Sequence, residues 1–348
     1  MLKNQKRITC SYGLFLFVST IAISCYSDDS DSSDEPIATP NSDWHDTCES
    51  LALGQGKLGL SAIYDQAGNK IPDSQVNSDD VDWTVLTPAS HSAYSGVGRY
   101  GNCSAALIET EGGSGAPAYV LTNGHCVGAG LLSANGVTID EEANGQKKMY
   151  FKYYVENGEE DYLVVDNKTI KFASMDGTDV ALVELDTTLG ELKSQGITAF
   201  KISASKPNLC TQARNVGVPL SGVDSTSVGL RLSDCYIGDE VSLNEGDYRF
   251  SESIRHRCSI VGGNSGSPIF NRQDGTIIGV VNTAVNDNAD GLEDCSLNKP
   301  CELASGGTVA VEPKENYGQY VDFLAACFSD GVFDLNLSSC EINEKFSL

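Results

Sequence analysis

At 348 residues the chain can bury a large core and form one two-lobed unit with flanking segments. Lys and Arg number 23 against 48 Asp and Glu, a formal net charge of −25. That balance excludes nucleic acid as a partner, because phosphate binding needs a basic surface.

Residues 1–25 read as an export signal. Lys3, Lys6 and Arg7 supply the positive region, and residues 14–23 form an apolar run too short to span a bilayer comfortably. The end of this segment, Ile21-Ala22-Ile23-Ser24-Cys25, supports two readings. It is similar to a lipoprotein signal in which Cys25 becomes the lipidated first residue, although Ala22 stands where leucine is usual. It also fits ordinary cleavage after small residues. Cysteine parity bears on the choice. Of the 12 cysteines, Cys10 leaves with the signal, and a lipidated Cys25 leaves an even set able to form five bridges. The anchored form would sit on a membrane surface; the alternative is plain secretion.

Residues 26–90 read as an acidic tether and a further weakly patterned stretch. The Ser- and Asp-rich part up to about residue 42 is expected to be disordered. The remainder, punctuated by Gly54, Gly56, Gly59, Gly68 and Pro72, is a pro-segment or a structured extension tied down by Cys48. The sequence leaves both open.

Regular β patterning begins near Tyr94. Residues 103–108 and 118–122 read as strands around a Gly-rich turn at 112–115, and 149–155, 162–165 and 180–185 continue the series. A second lobe is expected to start between Ser203 and Asn215, with strands at 214–218, 229–237 and 277–282. This places the N-terminal lobe at about 91–205, the C-terminal lobe at about 206–330 and a tail at 331–348. Residues 286–291, Asn-Asp-Asn-Ala-Asp-Gly, are similar to the first half of a calcium loop. The twelfth position is Leu297 rather than an acid, which favours an acidic surface turn. Tyr317, Tyr320, Phe323, Leu324, Cys327 and Phe328 recur at helical spacing and predict a C-terminal helix.

Three stretches carry chemistry. In Gly262-Gly263-Asn264-Ser265-Gly266-Ser267-Pro268 a serine sits between glycines, which let the backbone turn tightly and approach a ligand. Such a turn can aim the amides of Gly263 and Ser265 at one point, as an oxyanion hole requires. A serine hydroxyl is a weak nucleophile and needs a general base, and histidine titrates near neutrality. A candidate base is His125 in Thr122-Asn123-Gly124-His125-Cys126. A carboxylate must then orient the imidazole, and Asp179-Val180-Ala181-Leu182 supplies one; Asp176 competes for the role. The chain order His125, Asp179, Ser265 is that of the chymotrypsin type. Ser267 rules out the Gly-x-Ser-x-Gly elbow of α/β-hydrolases.

These motifs resemble those of the trypsin-like (chymotrypsin-fold) serine endopeptidases, whose forms are Thr-Ala-Ala-His-Cys, Asp-hydrophobic-Ala-Leu and Gly-Asp-Ser-Gly-Gly-Pro. The departures are Asn123, Gly124, Asn264 and Ser267, and the Asn and Ser-Gly-Ser-Pro forms are similar to the bacterial glutamyl-endopeptidase branch. The resemblance implies an all-β fold of two six-stranded antiparallel β-barrels of chymotrypsin type with a C-terminal helix. It implies protein or peptide substrates, cleaved through Ser265, His125 and Asp179, with Gly263 and Ser265 as the oxyanion hole and no metal or organic cofactor. Asp179 is preferred to Asp176 because it directly precedes the apolar strand, as in the family. The resemblance also implies a Cys103–Cys126 bridge behind the histidine. Among the other cysteines, Cys235 and Cys258 flank a hairpin-like excursion, Cys295–Cys301 and Cys327–Cys340 are local choices, and Cys48 with Cys210 remains. The rival from another class is a non-catalytic binding or adhesion protein on the same fold. For specificity, Ser259 stands where trypsin has an aspartate, which argues against Lys or Arg preference. Val281 stands where the glutamyl branch has a histidine, which argues against Glu preference.

Overall fold

The computed structural model describes residues 44, 47–48, 83–127, 136–143, 145, 147–284, 295–303, 309–310, 312 and 315–346, which belong to one unit spanning Asp43–Leu348. The stretch expected to be an export signal, Cys25, the expected acidic tether up to residue 42 and the calcium-like stretch at 286–291 lie outside the described residues.

A two-residue strand, β1 (Thr84–Val85), precedes the first sheet. That sheet contains β2 (Val97–Tyr100), β3 (Cys103–Leu107), β4 (Pro117–Thr122), β5 (Val137–Glu142), β6 (Lys148–Phe151), β7 (Leu163–Ser174) and β8 (Val180–Thr188). Its order is β5-β7-β6-β2-β3-β4-β8, and a further β7–β8 pairing closes six of these strands into a barrel with β5 outside the ring. The second sheet contains β9 (Gln212–Gly217), β10 (Arg231–Glu245), β11 (Tyr248–His256), β12 (Pro268–Asn271), β13 (Ile277–Ala284), β14 (Cys301–Leu303), β15 (Val309–Ala310) and β16 (Asn316–Tyr320). Its order is β11-β16-β13-β12-β9-β10-β14-β15, and a β10–β11 pairing closes the ring β10-β11-β16-β13-β12-β9. All the strand pairings in both rings are antiparallel. The fold is therefore the expected double barrel.

Strand alternation explains how the barrels join. Cys103, Ala105 and Leu107 of β3 point into the first barrel with Ala118 and Val120 of β4 and Ala181, Val183 and Leu185 of β8. The intervening Ala106, Tyr119, Leu121, Val180 and Leu182 point the other way and pack with Val216, Val218, Phe270 and Val280 of the second half. Side chains at successive strand positions face opposite sides, so a strand apolar at every position is one buried on both faces. The seam between the barrels is thus part of the core.

The helix expected over the Tyr317 to Phe328 stretch does not form. Asn316–Tyr320 is β16, Asp322–Cys327 is a 3-10 turn, and Phe328–Ser329 pairs as β17 with β18 (Val332–Phe333). The i, i+3 spacing of Tyr317 and Tyr320 puts them on opposite faces of a strand buried on both sides. β16 pairs with β11 and β13, closing the second ring, and those ladder hydrogen bonds decide the local conformation. A single helical turn, Ile342–Lys345, lies near the C-terminus, and Ile342 and Phe346 pack into the seam cluster.

Residues before the first barrel are built into the second. Thr84 and Val85 pair with Leu232 and Arg231 of β10. Leu86 is fully buried and donates its amide to Leu230 O at 3.0 Å. Trp83 Nε1 donates to Ser259 O at 3.0 Å, and Trp44 Nε1 donates to Glu315 Oε1 at 3.2 Å. Five disulfides join Cys48–Cys210, Cys103–Cys126, Cys235–Cys258, Cys295–Cys301 and Cys327–Cys340. Such a set marks a protein that matures outside the reducing cytosol. Because Leu86 lies wholly inside the core, Leu86→Ala is expected to destabilise the fold by about 2–5 kcal/mol in denaturant unfolding. A change below about 0.5 kcal/mol would show that the segment is dispensable.

Candidate active site

His125 sits in one helical turn, Gly124–Val127, directly after β4, and Cys126 in the same turn is bridged to Cys103 on the neighbouring strand. Asp179 immediately precedes β8, and its side chain is almost completely buried. The two residues meet at two points. His125 Nδ1 lies 2.6 Å from Asp179 Oδ2, and the His125 amide donates to Oδ1 at 3.0 Å. With Nδ1–H committed to the carboxylate, the neutral ring presents Nε2 as the base. Asn123 Nδ2 donates to the Asp179 carbonyl at 2.7 Å, which fixes the start of β8 against the histidine turn. Gly124 is required by close approach, because a Cβ there would lie 2.1 Å from Ser174 O. Asp176, the competing carboxylate, belongs to a local turn: its amide donates to Ser174 Oγ at 3.0 Å, and Ser174 Oγ donates to its carbonyl at 2.9 Å.

The serine loop comes from the other barrel, between β11 and β12. Gly263 has φ +103° and Gly266 φ +77°, a region that disfavours residues with a Cβ. The Gly262 carbonyl accepts from the amides of Leu220 at 2.8 Å and Ser221 at 3.1 Å. The carbonyl and N–H of a trans peptide point in opposite directions, so this turns the Gly263 N–H away from that loop. Among the described residues, the amides of Gly263 and Ser265 have no acceptor, the condition needed for two donors that wait for an anion. Ser265 is half-buried, and its carbonyl accepts from the Ser104 amide at 2.8 Å, so the serine loop is stitched to the first barrel beside Cys103. Cys103 Sγ in turn lies 4.0 Å from His125 Nε2. Ser265 and His125 thus both adjoin the Cys103-Ser104 segment of β3. No hydrogen bond joins the Ser265 hydroxyl to the His125 ring among the described residues, a contact that in ligand-free enzymes often tightens only with substrate.

Burial is the largest single influence on the His125 ring and acts to lower its pKa. The side chain keeps 38% of its surface exposed, however, and the charge and hydrogen bond of Asp179, with the charge of Glu245, together raise the pKa above the ordinary 6.5. Catalysis by a base needs the unprotonated ring, so activity is lost as pH falls through the raised value. The acid limb of a kcat/KM–pH profile is therefore expected above pH 6.5, and Asp179→Asn is expected to move it down. A wild-type limb at or below 6.5 contradicts this.

Sequence motifs gave no sign of Glu245. It is buried at the end of β10, accepts from Thr283 Oγ1 at 3.1 Å and from the Asn298 amide at 2.7 Å, and has its pKa raised, chiefly by burial. Nor did they mark Ser104 or Asn215, whose side-chain partners lie more than 45 residues away. Two groups of Cys, His, Cys side chains come close together, Cys103/His125/Cys126 and Cys235/His256/Cys258. In both, the cysteines are joined as disulfides and offer no thiolate to a metal.

Two antiparallel barrels, with a His–Asp pair on one and a glycine-flanked serine on the other, define the class of chymotrypsin-type serine hydrolases. Residues 103–280, just over half of the chain, match the family described as the trypsin-like peptidase domain. The chain belongs to that family. No curated protein matches it in sequence. Similar solved structures include a protease from M. tuberculosis in its active form, with 12% identity, covering 73% of this chain and 88% of that one at a TM-score of 0.43. They also include the MamO protease domain from Magnetospirillum magneticum, at 13% identity, 69% and 99% coverage and a TM-score of 0.40. A Glu endopeptidase in complex with MPD has 18% identity, 68% and 90% coverage and a TM-score of 0.37.

Proposed function

We propose that this peptidase is an exported serine endopeptidase working through an acyl-enzyme. Ser265 Oγ attacks the scissile carbonyl and gives its proton to His125 Nε2. The Oγ–carbon bond forms, and the amides of Gly263 and Ser265 hold the oxyanion. The C–N bond then breaks as His125 returns the proton to the leaving amine, and water repeats the sequence to release the acid. Asp179 holds the ring and stabilises the imidazolium. The observation that carries this reading is the two-point grip of Asp179 on His125, beside the β3 segment that also holds the glycine-flanked serine loop.

Export, with the tether of residues 26–42 and an optional lipid on Cys25, follows from the signal-like N-terminus and fits the five disulfides. Ser259 and Val281 are both buried and offer neither an acid nor an imidazole to a substrate side chain, so preference for basic or glutamyl residues is not expected from these positions.

A fluorophosphonate probe tests the reading. Covalent labelling of Ser265 in the folded protein, with faster turnover of peptides than of esters, supports it. Folded protein that does not label supports a binding protein on the same fold. A probe-reactive protein that turns over esters only is an esterase.

Activation is expected to proceed without a buried ammonium. Asn264, the residue before the nucleophile, is buried with its side chain already paired: Oδ1 accepts from the Val261 amide at 3.2 Å, and Nδ2 donates to Asn215 Oδ1 at 3.3 Å. An uncharged amide offers no countercharge to an inserted N-terminus, whose burial would cost roughly several kcal/mol. Versions beginning at several points between Ser27 and Asp43 should turn over a peptide at similar rates. Activity confined to one start and abolished by acetylating its amine would overturn this.

A further inference from the structure

Ser104 occupies the first barrel, on β3, yet its polar atoms serve the serine loop of the second. It is fully buried. Its hydroxyl donates to the Gly263 carbonyl at 2.9 Å and accepts from the Val218 amide at 2.9 Å, so its one proton and one of its two lone pairs are in use. Its amide donates to the Ser265 carbonyl at 2.8 Å, and its own carbonyl accepts from Thr122 Oγ1 at 2.8 Å. The Gly263–Asn264 peptide is therefore gripped at both ends, by Ser104 Oγ on the carbonyl and by the Val261 carbonyl, which accepts from the Asn264 amide at 3.1 Å. The preceding peptide is gripped at the Gly262 carbonyl by Leu220 and Ser221.

We propose that Ser104 is a positioning residue that presets the oxyanion hole: its hydroxyl fixes the Gly263 peptide in the orientation that leaves the Gly263 and Ser265 amides free to receive a tetrahedral oxyanion. This rests on the serine-peptidase reading of the same site. It also supplies what the uncharged Asn264 does not, since the loop is held from the partner barrel rather than by a charged terminus. Glycine at 263 has the backbone freedom to turn its peptide over once the hydroxyl is gone. Donors that must reorganise at the moment of reaction lose most of their value.

The test is the pre-steady-state burst of p-nitrophenol from p-nitrophenyl acetate, in wild type, Ser104→Ala and Ser104→Thr. In Ser104→Ala the burst rate is expected to fall by about 10- to 100-fold, with KM within about twofold and burst amplitude, the fraction of competent molecules, unchanged. The acid limb of the pH profile should stay in place, because His125 and Asp179 are untouched. Phenylboronic acid, which forms a tetrahedral adduct on the serine, should bind more weakly by a similar factor. Ser104→Thr keeps the hydroxyl and is expected to recover the rate. An alanine variant with wild-type rate overturns the proposal. So does one that loses amplitude while its competent molecules react at the normal rate, because the role is then only structural. A threonine variant of full amplitude that is as slow as alanine also overturns it. A wild-type protein without burst or fluorophosphonate labelling instead overturns the peptidase reading.

Discussion

Ser265→Ala is expected to lower kcat for peptide hydrolysis by on the order of 10⁶, and His125→Ala by a similar factor, because nucleophile and base act as one unit. Asp179→Asn should cost on the order of 10⁴. An asparagine keeps a single acceptor oxygen, so it cannot accept from both the His125 amide and Nδ1, and it carries no charge to stabilise the imidazolium. Its NH2 group, turned toward the ring, would favour the tautomer with the proton on Nε2. Asp176→Asn is the matched control. That residue makes its turn through backbone atoms and Ser174, so its side-chain charge has no part in the hydrogen bonds of the pair. Steady-state kinetics on one peptide substrate settle the assignment. If Asp176→Asn is crippling and Asp179→Asn harmless, the carboxylate has been misassigned.

Gly266→Ala should be the most damaging single-methyl insertion in the serine loop. The new Cβ would lie 2.2 Å from Thr122 Oγ1 and 2.4 Å from the Ser104 carbonyl, at a φ of +77°. The hydroxyl can rotate away, but the carbonyl belongs to a strand of the first barrel and cannot. Relief therefore requires the serine loop to retreat from the seam, taking Ser265 with it. Left-handed backbone costs about 1–2 kcal/mol for a residue with a Cβ, and overpacking adds about 1–3 kcal/mol. A fall in Tm of roughly 5–15 °C and loss of fluorophosphonate labelling are the expected readouts. Gly113→Ala, where a Cβ would meet nothing within 4 Å, should change neither. Normal labelling in Gly266→Ala would mean that the loop and the barrel are not as tightly joined as these distances require.

The three candidate catalytic stretches were legible because their requirements are local. A histidine beside a half-cystine, an aspartate opening an apolar strand, and a serine between glycines each leave their mark within five or six residues. Strands were legible where apolar runs stand between turn signals: residues 103–108 and 180–185 read as strands and form β3 and β8, although both are buried on both faces and show no alternation. The long hairpin of β10 and β11 carries so many charged and polar residues that only the first part of β10, up to Ile237, reads as a strand. The helical spacing at Tyr317, Tyr320 and Phe323 misled for the same reason: a strand buried on both sides accepts a large apolar residue at any interval. Ser104 and Glu245 left no local trace at all. Their roles come from partners brought near by barrel closure, and nothing in Cys103-Ser104-Ala105 distinguishes that serine from an ordinary strand residue.

The bridge between Cys48 and Cys210 spans 162 residues of sequence, including every strand of the first barrel. Both of its ends belong to the second half, where Cys48 and Cys210 pack beside Trp44 and Tyr236. The first barrel is therefore a covalent ring hung from its neighbour. A peptide bond cut anywhere between residues 48 and 210 opens the ring without releasing a fragment. A single cut there is a scar and not a severance: the nicked molecule keeps His125, Asp179 and Ser265 in one covalent body.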